Sequence, residues 1–140
     1  MTQHLFFRGG CLCGSVQYEI SGEPKRFYHC HCSRCRKASG TGHASNMIVK
    51  ADAVKWVKGE ELVRIYKVPE AKRFARWFCS VCGSSLPRYV KETGFVVIPA
   101  GTLDCDPIIQ PQARIFWDSR VSWSCGGDGI PVYSEYPPGT

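Results

Sequence analysis

The stretch CLCGSVQYEI, Cys11–Ile20, carries two signals in ten residues. From Ser15 onward polar and apolar residues alternate, with Val16, Tyr18 and Ile20 on one face and Ser15, Gln17 and Glu19 on the other. A period of two marks a half-buried β-strand, because successive side chains leave an extended chain on opposite sides. The same geometry turns Cys11 and Cys13 the same way, so both thiols can reach one metal ion. A pair of ligating thiols leading straight into a core strand predicts a mainly β chain stapled by metal.

Further strands are predicted at Asn46–Lys50, Leu62–Val68, Lys72–Phe78, Ser85–Val90 and Phe95–Pro99, with a short one at Arg114–Trp117. GFVVIP, Gly94–Pro99, is continuously apolar, as a strand covered on both faces is. No segment keeps a long 3.6-residue apolar period, and a short helical turn is expected after Cys32. The segment from Ile108 onward is rich in Pro and Gly. Four Trp, six Tyr and seven Phe suit packing between strands, and Trp56, Trp77 and Trp117 are read as core residues. With no repeat or composition break, the chain reads as one domain, 1–140, whose motif-bearing core spans about 8–136.

Nine cysteines raise the question of disulfides. The count is odd, the start MTQHLFFRGG lacks the apolar run of a signal peptide, and seven of the nine sit in close C-x-C or C-x-x-C pairs. Those features favour metal in an intracellular chain. The match for Cys11 and Cys13 is CSVCG, Cys79–Gly83, a zinc knuckle in which two thiolates curl round the ion and a glycine eases the turn. Cys11, Cys13, Cys79 and Cys82 thus form a closed four-sulfur set, expected to hold a structural zinc that ties the first strand to the middle of the chain.

CHCSRC, Cys30–Cys35, leaves three thiols for a second ion. In an extended C-H-C, His29 and His31 fall opposite Cys30 and Cys32, which makes either a poor fourth ligand; His43 is farther away and freer. Three protein ligands and a vacant position are the mark of a catalytic zinc, whereas a distant residue closing the site makes it a second staple. Two zinc ions per chain are expected, the second the more labile. A three-thiolate zinc has a formal charge near −1, a poorer Lewis acid than a three-histidine site, so its chemistry points to thiols and aldehydes rather than amide hydrolysis. His31, His43 and Asp104 are proton-transfer candidates by chemical type only. The isolated Cys105 and Cys125 read as buried small hydrophobes.

The formal net charge of +6 falls to about +3 once seven thiolates and two Zn²⁺ are included. That is an ordinary surface charge, and no Arg/Lys-dense recognition segment accompanies it, so nucleic acid is an unlikely partner. No apolar run approaches a membrane span, and a cytoplasmic location is expected. Arg34, Arg36 and Lys37 beside the second thiol set can meet the carboxylates of an anionic ligand, although exposed charges more often have no partner.

GGCLCGSVQYEI, HCHCSRCRKASGT, RWFCSVCGSSL, AGTLDCDP and WSCGGDGIPVY, in that order, resemble the glutathione-dependent formaldehyde-activating enzyme (GFA) family, which has a centromere-protein-V-like (CENP-V-like) branch. The resemblance implies an Mss4-like β-tent with zinc-binding knuckles and few helical turns. It implies a structural zinc on Cys11, Cys13, Cys79 and Cys82 and a catalytic one on Cys30, Cys32 and Cys35. It also implies a carbon–sulfur lyase type of activity, joining glutathione and formaldehyde as S-hydroxymethylglutathione. Ala113 stands where many relatives have a histidine. The leading expectation is therefore a zinc-dependent enzyme acting on a small thiol and a small aldehyde or their adduct. The alternative is a non-enzymatic zinc-stabilised binding domain, recognisable by two closed metal sites and an exposed apolar or charged face.

Overall fold

The computed structural model describes residues 4–124 and 129–139. Its elements are β1 (Leu5–Gly10), β2 (Gln17–Cys30), α1 (Ser33–Ser39), β3 (Ala44–Lys50), β4 (Lys55–Lys58), β5 (Val63–Lys67), β6 (Ala75–Cys79), β7 (Ser85–Leu86), β8 (Arg88–Val90), β9 (Phe95–Pro99) and β10 (Ala113–Ile115), with four short 3-10 turns among the described residues. The protein is mainly β with one short helix, the class expected from the sequence.

The 14-residue β2 is the spine. Its first half pairs antiparallel with β1, Leu5↔Gly22 to Gly10↔Gln17, and with β4 through Gln17–Glu19. Its second half pairs antiparallel with β3 from Glu23↔Lys50 to Cys30↔Ala44, the register shifting between Pro24 and Arg26. There β10 runs parallel to it, Ala113↔Tyr28 to Ile115↔Cys30. The main sheet continues β3-β9-β8, and β5-β6-β7 form a separate three-stranded sheet.

Two apolar clusters follow from this layout. Tyr18, Ile20, Phe27, Met47, Val49, Val96 and Ile98 fill the larger one, while Cys11, Val16, Cys79 and Leu86 form a smaller one at the first thiol cluster. The alternation read from SVQYEI holds, Val16, Tyr18 and Ile20 being buried and Gln17 exposed. In β9, Val96 and Ile98 are buried while Phe95, Val97 and Pro99 are half-covered, so both faces are packed. Trp56 and Trp77 pack against the clusters and stack on each other at 6.3 Å.

Three strand features escaped the sequence. Gly22 and Pro24 interrupt the alternation, so the continuation of β2 to Cys30 gives no clean period. In β1 the two glycines that end the strand hide its pattern, and β4 is only four residues long. The predicted Ser85–Val90 strand is split by the buried Pro87, which cannot donate to a ladder. Trp117, expected in the core, is 40% exposed in a 3-10 turn, because the chain beyond Ile115 runs past the end of β2. Cys105 is exposed rather than buried, lying outside any strand in the Asp104–Pro107 segment. Cys125 lies outside the described residues.

Gly9 marks where β1 meets the core. A Cβ there would strike the Thr102 carbonyl oxygen and the ring of Tyr18, whose hydroxyl bonds Thr102 Oγ1 at 2.7 Å. Gly9→Ala is expected to cost about 1–3 kcal/mol through overpacking. Gly101→Ala, with open space around its Cβ, should be close to neutral. Thermal melts of the two variants check the contrast, and equal midpoints would refute it.

Candidate metal centres

The Sγ atoms of Cys11, Cys13, Cys79 and Cys82 all lie within 4.8 Å of one another. Cys11–Cys13 and Cys13–Cys79 are 3.6 and 4.0 Å apart, bracketing the ~3.8 Å between sulfurs of a tetrahedral zinc with Zn–S bonds of about 2.3 Å. The backbone builds this cradle from two similar turns. In one, Cys11 N donates to Val16 O at 3.0 Å, and Gly14 N to Cys11 O at 3.1 Å. In the other, Cys79 N donates to Ser84 O at 3.0 Å, and Gly83 N to Cys79 O at 2.8 Å. Gly14 and Gly83 take φ of 80° and 78°, a region that disfavours side chains. Leu12 N donates to Ser84 Oγ at 2.9 Å and joins the two turns. Val16 N and Val81 N donate to the sulfurs of Cys11 and Cys79 at 3.3 and 3.4 Å.

These contacts prepare the thiols for a cation. The Ser84 hydroxyl beside Cys82 helps bring that thiol down to about 5, and the Ser15 hydroxyl lowers Cys13. Burial pushes Cys11 up, against the Val16 amide. A set with two thiols already displaced toward thiolate, at tetrahedral spacing, fits Zn²⁺.

The second cluster forms where β2 runs into α1. Cys30 ends β2, Cys32 caps the helix with its sulfur accepting from Cys35 N at 3.3 Å, and Cys35 sits in the first turn. Gly40, at φ 73°, closes the helix with its N–H on Arg36 O at 2.8 Å. The three sulfurs again lie within 4.8 Å of one another, and among the described residues no fourth Cys, His, Asp or Glu atom joins them. This cluster is the more enclosed: Cys30 and Cys35 are buried and Cys32 half-buried. Burial pushes the thiols of Cys30 and Cys35 up. Burial also opposes ionisation of Cys32, but hydrogen bonds led by the Cys35 amide outweigh it and bring that thiol down.

The histidines lie off the sulfurs, as the alternation predicts for His29 and His31. His29, His31 and His43 gather instead into a stack, with ring centres 4.2 Å apart for His29–His43 and 5.1 Å for His31–His43. Ser45 Oγ lies 3.0 Å from His29 Nδ1 and 3.4 Å from His43 Nδ1. Arg114 Nη1 donates to His31 Nε2 at 3.2 Å, and the edge of Trp117 meets the His31 ring at 5.2 Å. Burial depresses the pKa of all three, with Arg114 adding to it, so the imidazoles are neutral at pH 7.

Two cavities meet at the second cluster. One of about 290 Å³ is lined by Cys35, His43, Asn46, Phe74, Arg76 and Arg88 among others. The other, of about 480 Å³, is lined by Cys30, Cys32, Cys35, Arg34, Arg88 and Phe116 among others. Cys35, Asn46, Phe74, Arg88 and Val97 belong to both walls. Of the basic residues after Cys32, Arg34 lines a cavity; Arg36 and Lys37 line neither, and Arg36 Nε is buried without a partner. Asp104 is elsewhere, in a third cavity with Arg8 and Cys105.

Residues 6–119 match the family model of the glutathione-dependent formaldehyde-activating enzyme. The chain belongs to that family. The match includes all seven clustered cysteines and ends at Ser119, before the closing WSCGGDGIPVY motif. The fold is also similar to the crystal structure of a Rhodobacter sphaeroides protein, with a TM-score of 0.58 and 21% identity over 76% of this chain and 97% of that one. Among the described residues, no helix is long and apolar enough to cross a membrane.

Within this formaldehyde-activating family member, sequence reasoning missed Arg88, Asn46 and Phe74 on the shared wall, and Arg114 and Trp117 against His31. For Arg88 one signal existed: the alternation Leu86, Arg88, Val90 puts a lone cation in register with apolar residues.

Titrating metal-free protein with Zn(II) should show two binding events, and stepwise chelator should empty the three-sulfur centre first. Cys79→Ser should lose one ion and lower the melting temperature markedly, whereas Cys32→Ser should keep one ion and most of the stability. Native mass spectrometry with thermal melts reads both. Simultaneous release of the two ions would contradict the ranking.

Proposed function

We propose that the protein is a zinc-dependent enzyme that joins a small thiol to a small aldehyde, or splits their adduct, at the Cys30–Cys32–Cys35 centre. One observation carries this reading: three clustered sulfurs with no fourth described ligand, set into the wall between two cavities. A staple needs no access, whereas an enzyme needs a concave site beside an open position. Cys11, Cys13, Cys79 and Cys82 hold the structural zinc; Cys30, Cys32 and Cys35 hold the second. Family membership supports glutathione and formaldehyde as the reactants and a carbon–sulfur lyase type of activity.

When bound, the second zinc supplies positive charge that favours ionisation of an incoming thiol. The chain's own residues do the rest. The two cavities hold the reactants on either side of Cys35, replacing a bimolecular encounter with a fixed approach. The sulfur attacks the carbonyl carbon, the C=O π pair moves to oxygen, and the proton lost by the thiol ends on that oxygen, with no net oxidation. His43, neutral and lining the smaller cavity with Cys35, is the group placed to carry that proton. Phe74, Trp77 and Val97 along the walls limit water at the reacting atoms.

A specific feature also favours the binding-domain reading: beyond the family match, Trp123, Ile130, Val132, Tyr133 and Tyr136 are exposed large apolar side chains. They lie away from the thiol clusters in sequence and do not replace the enzymatic reading.

Carbon-13 exchange spectroscopy on a glutathione–formaldehyde mixture should show interconversion with S-hydroxymethylglutathione at least ~10-fold faster with zinc-loaded protein. The triple variant Cys30→Ser, Cys32→Ser, Cys35→Ser should abolish the acceleration while keeping the first zinc. Acceleration surviving in that variant would move the chemistry elsewhere. The absence of acceleration with any thiol would favour the binding domain.

A further inference from the structure

The two cavities share an electrostatic bias that neither formaldehyde nor a neutral thiol requires. Arg76 and Arg88 line the smaller, Arg34 and Arg88 the larger, and no Asp or Glu lines either among the described residues. Arg88 is common to both. It is half-buried on β8, with Nη1 donating to the Arg73 carbonyl at 3.2 Å and its guanidinium 5.8 Å from the centre of the Phe74 ring. None of the ion pairs among the described residues involves it. Arg76, by contrast, is engaged with Ser85 Oγ at 3.4 Å and Gly83 O at 2.8 Å. A guanidinium presents five N–H donors in a fork matched to a carboxylate, and removing one from water without a counter-charge is costly. Apart from the Nη1 bond to Arg73, the Arg88 fork makes no hydrogen bond within the described residues, which leaves donors open to a ligand on the wall it shares with Cys35.

We propose that Arg88 selects the substrate by binding a carboxylate, so that the ligand's reactive end is held against the Cys35 side of the second metal centre. The preferred reactants are then a carboxylate-bearing thiol, a carboxylate-bearing aldehyde of the 2-oxo acid type, or both, rather than formaldehyde with an arbitrary thiol. A centre of three thiolates and one Zn²⁺ has a formal charge near −1 and by itself repels an anion; Arg88 cancels that charge at the wall where the anion must pass. This deepens the functional reading above, on which the choice of thiols and aldehydes rests.

The test compares matched pairs by calorimetry on zinc-loaded protein: mercaptoacetate against 2-mercaptoethanol, and glyoxylate against acetaldehyde with 2-mercaptoethanol present. Wild type should favour the carboxylate member of at least one pair by ~10-fold or more, and the pair that shows it tells which reactant carries the acid. Arg88→Gln should erase that preference with both zinc ions retained, the carboxylate member losing more affinity than its neutral partner, and Arg88→Lys should restore part of it. A preference that persists in Arg88→Gln, or none in wild type for either pair, overturns the proposal while leaving thiol chemistry intact. Glyoxylate binding that depends on Arg88 when neither thiol binds would support the carboxylate site and remove the thiol reading instead.

Discussion

A strand of 14 residues must have its N–H and C=O groups paired along both edges wherever it is buried, and in this protein that requirement falls on β2. No single neighbour can meet it. The first half of β2 is served by β1 and β4, the second by β3 and β10, and the irregularity between Pro24 and Arg26 separates the two. Each partner brings chemistry with it. The β1–β2 turn carries Cys11 and Cys13, the end of β2 delivers Cys30, and β10 brings Arg114 against His31. The two thiol clusters thus flank opposite ends of one continuous strand. A shift of β2 by one residue would turn Cys30 to the other face and displace the turn that carries Cys11 and Cys13, disturbing both clusters.

The clusters differ in the way their roles require. At the first, serine hydroxyls and backbone amides meet the sulfurs, and two thiols are displaced toward thiolate. Charge is stabilised locally whether or not a substrate is present, which suits a staple. At the second, two of three thiols are buried and pushed the other way. Beyond the backbone amides that bring Cys32 down, negative charge there is left to a bound cation and to the arginines lining the cavities. Such a site stands open to a ligand through those cavities, neither of which is lined by a cysteine of the first cluster.

Much of this was legible in the sequence. C-x-C and C-x-x-C spacing fixes which sulfurs can converge, since it is set by local backbone geometry, and the period of SVQYEI set the face of the core. The opposition of His29 and His31 to Cys30 was legible for the same reason. What stayed hidden depends on long-range pairing. Arg88 reaches the site only because β8 joins β9 and β9 joins β3, and Trp117 leaves the core because β10 ends at the edge of β2. The long continuation of β2 was masked by Gly22 and Pro24, residues whose local preference is overridden by partners on both edges.

The neutral histidine stack follows from the same electrostatics. Arg114 lies within hydrogen-bonding distance of His31, and Arg34 and Arg88 line the cavities nearby. Three imidazolium ions packed there would add like charges in a poorly hydrated place, so burial and Arg114 hold the rings neutral. Neutral rings can stack, accept a hydrogen bond from Arg114 and share Ser45 without a charge cost. The stack therefore lies off the sulfurs beside the Cys30 end of β2, and among the described residues the arginines are the fixed positive charges that line the two cavities. An anion entering either cavity thus meets a field set by side chains whose charge does not change with pH across the physiological range.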